Sequence, residues 1–249
     1  MNEQTKQFLA GVRAEAPLLI AVFPFGMIYG ALALNAGLSR SASQMMSSIV
    51  FAGSSQFVAA QLIHDAAPGF VIVLTIAVVN LRHMLYSASL APYLASLSMR
   101  WKTLLSYLLT DESYAPTILK YERDGVQPFS HWFLFGAGLA LWSTWQASTA
   151  LGIFLGTAIP DSWSLDFALP LTFIAMVVPV LKGRPYVAAA LSAGTVALVA
   201  HPLPFKLGLI LAALVGILVG TILEGRNGIR PKKDLPIHAN LREGLEEKE

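Results

Sequence analysis

Apolar stretches long enough to cross a bilayer recur along this sequence with short turns between them, and no other feature restricts the fold as much. A spanning helix needs about 20 mostly apolar residues. In hydrocarbon every backbone polar group must be satisfied within the protein, which leaves helices or closed barrels. Hydrophobic residues fill 55% of the 249 positions and charged residues only 13%, whereas a soluble domain carries about 25% charged residues. The sequence therefore predicts an all-α polytopic membrane protein of about seven or eight transmembrane helices. One transmembrane domain over residues 1–223 and a polar, flexible cytoplasmic tail over 224–249 complete the expected organisation.

Composition also removes function classes. The chain has no cysteine, so disulfides, thiolate metal sites and cysteine nucleophiles are excluded together. Its histidines (64, 83, 131, 201 and 238) are dispersed without ligand spacing, so no metal and no cofactor are expected. Basic residues are scattered or confined to the tail rather than interleaved with aromatics on a polar surface, which speaks against nucleic acid as a partner. The polar start, Met-Asn-Glu-Gln-Thr-Lys-Gln-Phe, lacks the basic lead of a cleaved signal, so the first span is expected to direct insertion itself.

Span 1, Pro17 to Ala36, carries Phe23-Pro24-Phe25-Gly26. Because proline removes a helical hydrogen bond, a helix break is expected at Pro24 and Gly26. Span 2, Ser43 to Ile63, holds Gly53-Ser54-Ser55-Gln56-Phe57 near its middle, with Gly53 a further expected break. Pro68 to Leu97 reads either as one long tilted helix or as two half-helices meeting at Asn80 to His83. Further spans are expected at Thr103 to Ile118, Trp132 to Ile159, Phe167 to Leu181, Tyr186 to Ala200 and Phe205 to Leu223.

Lys and Arg favour cytoplasmic loops. With eight spans and both ends inside, the inner side collects Lys6, Arg13, Lys120, Arg123, Lys182, Arg184 and the basic tail, and the outer side Arg40, Arg100, Lys102 and Lys206. The bias favours a cytoplasmic C-terminus, although Arg100 and Lys102 fit better inside; a re-entrant 68–97 would leave seven crossings and an external N-terminus. Many transporters are built from inverted repeats. Here span 1, with Pro24, and span 6, with Pro170 and Pro179, are the pair such a repeat would relate.

Function begins with Val79-Asn-Leu-Arg-His-Met-Leu-Tyr86, which places Asn80, Arg82, His83 and Tyr86 inside an apolar segment. An arginine at a helix centre costs about 2.5 to 3.5 kcal/mol on insertion scales, so it is kept for pairing or for a cavity. At helical spacing the four residues form a polar stripe on one side. Arg82 needs a counter-charge, and Asp111 and Glu112 are the nearest carboxylates in apolar sequence. Ser54, Ser55 and Gln56 offer neutral donors and acceptors. Trp145 lies with Trp142 and Gln146 on one helix face, where it can wall an apolar pocket. His83, Asp111 and Glu112 are the candidates for charge balance or proton coupling.

Three motifs in this order, Gly-Ser-Ser-Gln-Phe at 53–57, Arg-His-Met-Leu-Tyr at 82–86 and Leu-Thr-Asp-Glu at 109–112, resemble the AzlC family, the large subunits of branched-chain amino acid exporters associated with azaleucine resistance. The resemblance implies secondary export of Leu, Ile, Val and related amino acids, methionine included in some members, across a bacterial inner membrane. It also implies a separate small AzlD-like membrane subunit as partner. There is no Walker motif, which fits gradient-driven transport, with a proton as a candidate coupling ion. Other readings of the same residues are a passive amino-acid or small-solute channel and an intramembrane enzyme using Ser54 or Ser55, His83 and Asp111.

Overall fold

A computed structural model describes residues 1–125, 127–156, 181, 183–203 and 207–226. These residues are helical, with no strand among them. They fall into two compact units, Met1–Ile159 and Pro160–Glu249. Three described helices are long and apolar enough to cross a membrane: Glu3–Asn35, Gly69–Leu94 and Leu207–Gly225. The expected span 6, the repeat that was to involve Pro170 and Pro179, and all but the first residues of the tail lie outside the described residues.

In the first unit, helix α1 (Glu3–Asn35) runs without interruption through Pro17 and Pro24. The break expected at Pro24 and Gly26 is absent. Gly26 is instead a contact residue, where an added Cβ would meet Ser148 and the Trp145 carbonyl. At 33 residues, α1 is about 50 Å long.

Span 2, read as one helix, is two: α2 (Arg40–Ile49) and α3 (Gly53–His64), separated at 50–52. The expected break at Gly53 is therefore present, and Gly53 opens α3. Pro68 to Leu97 contains one helix, α4 (Gly69–Leu94), not two halves. Span 4 divides into α5 (Met99–Tyr107) and α6 (Asp111–Asp124), parted at 108–110, so Asp111 also opens a helix. Helix α7 (His131–Leu155) completes the unit.

Side-chain pairs fix the helix directions. On α1 and α7, Gly11 adjoins Phe133, Gly26 adjoins Ser148 and Gly30 adjoins Thr149, so the two run parallel along their length. On α4 and α6, Arg82 meets Asp111, Tyr86 stacks on Tyr114 and Tyr93 packs on Tyr121, so these also run parallel. The chain leaves α4 at Leu94 and must reach Asp111 beside Arg82, so α5 travels back along α4 and α6 returns.

The first broken pair behaves likewise. Trp145 packs on Gly53 and Tyr29 on Phe57, which brings α3 to the middle of α1 and sends it back toward the end of α1. Neither half-helix is long enough to cross hydrocarbon alone, since 9 to 14 residues span only about 14 to 21 Å.

The unit is therefore three full-length helices with two helical hairpins inserted from opposite ends. Segment α1–α2–α3 and segment α4–α5–α6 share the same plan, one long helix followed by a broken pair, in opposite senses, because α4 runs against α1. Such opposed repeats are a recurring plan of transporters. The repeat divides the first unit internally. Arg100 and Lys102, at the start of α5, lie at the same end as Lys6, not with Arg40 as an eight-span count requires.

A chain without native cysteine gives a clean test of this topology. Cysteine placed as Arg40→Cys is expected to react with an impermeant maleimide from one side of the membrane and Arg100→Cys from the other. Labelling of both from the same side contradicts the hairpin arrangement.

What holds the frame is a seam of small residues. At Gly11, Gly30, Gly136 and Gly152 a Cβ would collide with backbone of the opposite helix, at Phe133, Thr149, Phe8 and Met27 respectively. Lipid tails are as apolar as leucine, so helices in a bilayer associate through close van der Waals contact, which glycine permits. Aromatic rings of Phe8, Trp101, His131, Trp132 and Phe135 cluster at the α1 N-terminal end. At the same end Asp124 binds Arg123 and Lys120, and the hydrogen bond from Arg123 holds its carboxyl well below the usual carboxylate range.

In the second unit, α8 (Arg184–Val199) packs on α9 (Leu207–Arg226). An added Cβ at Gly208 would meet the Ala200 carbonyl, and at Gly216 it would meet Ala193, again a small-residue contact.

Candidate functional site

Arg82 occupies the junction where the two hairpins meet. Its Nη1 donates to Asp111 Oδ2 at 3.0 Å, and its Nη2 donates to Ser54 Oγ at 2.8 Å. Ser54 is the second residue of α3 and Asp111 the first of α6, so one guanidinium ties together the starts of both half-helices. Helix starts carry unpaired N–H groups and partial positive charge. The Asp111 carboxylate offsets that charge and the arginine at once. Ser113 Oγ accepts from the Thr110 backbone N–H at 3.0 Å and so braces this helix start.

The pair is not sealed: the Arg82 and Asp111 side chains are 27% and 20% exposed. Water or a small ligand has access to them. Arg82 Nε is itself buried and has no protein partner.

Around this centre lie most of the residues singled out from sequence. Ser55 Oγ donates to Asn80 Oδ1 at 2.6 Å, joining α3 to α4 two residues before Arg82. The Tyr86 ring stacks on Tyr114 at 4.7 Å, and His83 meets the Tyr86 edge at 5.8 Å with its Nε2 unpartnered. Glu112 follows Asp111 in the first turn of α6. Gly53 lies against the indole of Trp145, 3.0 Å from where a Cβ would stand.

Two expected residues are elsewhere. Gln56 is fully buried and donates from Nε2 to the Met46 carbonyl, so it braces α3 against α2. Trp145 is buried between Gly53 and the stacked Tyr29 ring rather than lining open space.

The structure adds a polar seam that sequence reasoning passed over. Gln146 Oε1 accepts from Gln44 Nε2 and from Ser48 Oγ, and Gln146 Nε2 donates to the Ser47 carbonyl. Ser47 and Thr149 hydroxyls share a hydrogen bond, Tyr107 donates to the Ser48 carbonyl, and Trp142 Nε1 donates to Tyr107 Oη. This network ties α2 and the end of α5 to α7. The sequence signal was present in Gln44-Met-Met-Ser47-Ser48, polar groups at helical spacing. Among the described residues no cluster of three or more metal-ligating side chains occurs.

A half-open cavity borders the site. Ser87, Leu90, Leu94, Lys102, Leu105 and Leu109 line it between α4 and α5, and Ser87 lies five residues beyond Arg82 on α4. Its walls are mostly apolar, with Lys102 at the outer end. The arrangement suits a small zwitterion with an apolar side chain, for which a guanidinium, hydroxyls and open helix N–H groups supply the polar contacts.

No solved structure matches this chain. It is 32% identical over 221 residues to an uncharacterized membrane protein of Archaeoglobus fulgidus, covering 87% of this chain and 95% of that protein. It is 29% identical to the inner membrane protein YgaZ of Escherichia coli, covering 68% and 71% of the two chains. It is also 29% identical to the branched-chain amino acid transport protein AzlC of Bacillus subtilis, covering 71% and 70%. The family model described as AzlC protein matches residues 17–159, which span both hairpins and the Arg82 junction, and the chain belongs to the AzlC family.

Proposed function

We propose that this chain is the large subunit of a secondary transporter that exports branched-chain and related hydrophobic amino acids across a bacterial inner membrane. A small AzlD-like membrane protein is its partner. The observation that carries the reading is the Arg82 guanidinium, set in apolar surroundings at the start of two opposed half-helices and bound to both. Broken helices whose N-termini face a shared centre are suited to a substrate carboxylate. In this reading Arg82 mainly holds the hairpins in register, and Ser54, Ser55, Asn80 and Tyr86 line the substrate's polar end. Asp111 balances charge, with Glu112 next to it in the first turn of α6 and His83 next to Arg82 on α4.

Residues 1–223 act as one transport domain, with both termini cytoplasmic. Support for that orientation is the collection of Lys6, Arg13, Arg100, Lys102, Lys120 and Arg123 at one end of the first unit, against Arg40 at the other, together with the basic tail. An intramembrane hydrolase is disfavoured. Neither Ser54 nor Ser55 is hydrogen-bonded to His83, and Asp111 is engaged by Arg82, so no nucleophile, base and orienter are assembled.

Everted membrane vesicles from cells expressing the full chain with the neighbouring small membrane protein test the function. Labelled leucine is expected to concentrate inside energised vesicles, and an uncoupler is expected to abolish the accumulation. Flux that only follows the leucine gradient would establish a passive channel instead.

A further inference from the structure

Glu15 is a carboxyl of the spanning helix α1 whose chemistry the Arg82 site does not use. Its side chain is fully buried, and neither carboxylate oxygen has a hydrogen-bond partner. It stands one turn after Gly11 on the buried stripe of α1 that also carries Val22, Gly26 and Gly30, the face toward α7.

The charged and titratable groups of the elements packed on α1 leave Glu15 alone. Helix α7 contributes His131, α3 His64, and α2 Arg40. On α6, Asp111 is taken by Arg82, Asp124 by Lys120 and Arg123, and Tyr114 and Tyr121 donate to Ser89 and Ser130; Glu112 and Glu122 complete that helix. On α1 itself, Glu3 pairs with Lys6, Tyr29 donates to the Ser43 carbonyl, and Arg13 is exposed. None of these forms an ion pair or hydrogen bond with Glu15.

An ionised carboxylate in such a place costs several kcal/mol. A neutral carboxylic acid avoids most of that, and it is a form that can release its proton when a conformational change opens the seam to water. Buried ionisable residues inside membrane helices commonly serve as proton relays for this reason.

We propose that Glu15 is the proton-carrying site of the transport cycle. It takes a proton from water on the outer side, holds it as the neutral acid in the closed seam, and releases it to water on the inner side as amino acid leaves. The inference rests on the export reading and adds to it the residue that carries the coupling proton.

Two measurements on the full chain test it. In energised everted vesicles Glu15→Gln is expected to lose leucine accumulation, its internal-to-external ratio falling to one, while exchange of labelled for unlabelled leucine continues at a rate within about threefold of the parent's. Glu15→Asp is expected to recover part of the accumulation. Undiminished accumulation by Glu15→Gln overturns the proposal, and so does loss of exchange in an inserted Glu15→Gln protein, which would mark Glu15 as structural.

Infrared spectroscopy of the purified protein separates this from failure of the export reading. A protonated-carboxyl C=O band present near neutral pH in the parent and missing in Glu15→Gln supports a proton held at Glu15 even if leucine is not the substrate. Absence of that band in the parent overturns the proposal.

Discussion

Arg82→Gln is expected to reduce leucine export at least about thirtyfold while leaving insertion intact. Glutamine keeps a polar group at the position but cannot reach both Asp111 Oδ2 and Ser54 Oγ, so the two hairpins lose their shared tie. Removing one partner of a fully buried ion pair costs about 3 to 5 kcal/mol, because a charge is left without compensation. Here both side chains are partly open to solvent, and exposed pairs are worth far less. A cost of about 2 kcal/mol follows, equivalent to roughly thirtyfold in a rate or binding constant.

Asp111→Asn should lower export similarly, since it leaves Arg82 uncompensated at two positive helix starts. The measurement is initial export rate normalised to the amount of inserted protein. The double variant Arg82→Gln with Asp111→Asn separates the roles: recovery above both single variants identifies an organising pair, and no recovery identifies direct work on substrate. A rate near the parent's in either single variant removes that residue from the site.

Gly152→Val should be the most damaging change to the frame. The added carbon would run into Met27 backbone, and a helix cannot move away locally without opening the seam along α1 and α7. Overpacking usually costs about 1 to 3 kcal/mol. Against rigid backbone the upper part of that range applies, and the expected readout is a fall of about 10 °C or more in the midpoint of heat-induced aggregation in mild detergent. Gly194→Val is the control, since nothing lies near a Cβ there. Equal behaviour of the two variants would show that the seam does not bear the fold.

These two regions differ in how plainly the sequence announced them. Arg82, Asp111, Ser54 and Asn80 could be selected because charge and polarity in apolar sequence are costly, and a costly residue needs a nearby partner. Gly53 marked its break because glycine leaves the helix start unrestrained. The turning back of α2–α3 and α5–α6 could not be read, because a segment that folds back in the bilayer needs the same apolar coverage as one that crosses. Direction is decided by pairs distant in sequence, such as Tyr93 with Tyr121 and Phe57 with Tyr29.

Pro24 misled for a related reason. Proline costs an exposed helix a hydrogen bond, but neighbouring helices can re-satisfy the freed carbonyl, and α1 has α7 against it throughout. Glu15 precedes the expected first span by two residues, and nothing in the sequence marks it as buried. Only packing separates the exposed Arg13 from the buried Glu15. The parallel seam itself rests on glycines that hydropathy counts as neutral.

The central claim is that substrate binds where the two half-helices meet at Arg82. A cysteine placed as Ser54→Cys, in a chain with no other cysteine, reports on that point directly through its alkylation rate in vesicles. Leucine is expected to slow the reaction several-fold in a saturable manner, while a hydrophilic amino acid such as glutamate leaves it unchanged. If leucine is still transported by this variant but does not alter the alkylation rate at any concentration, substrate passes elsewhere and the Arg82 junction is only a structural clasp.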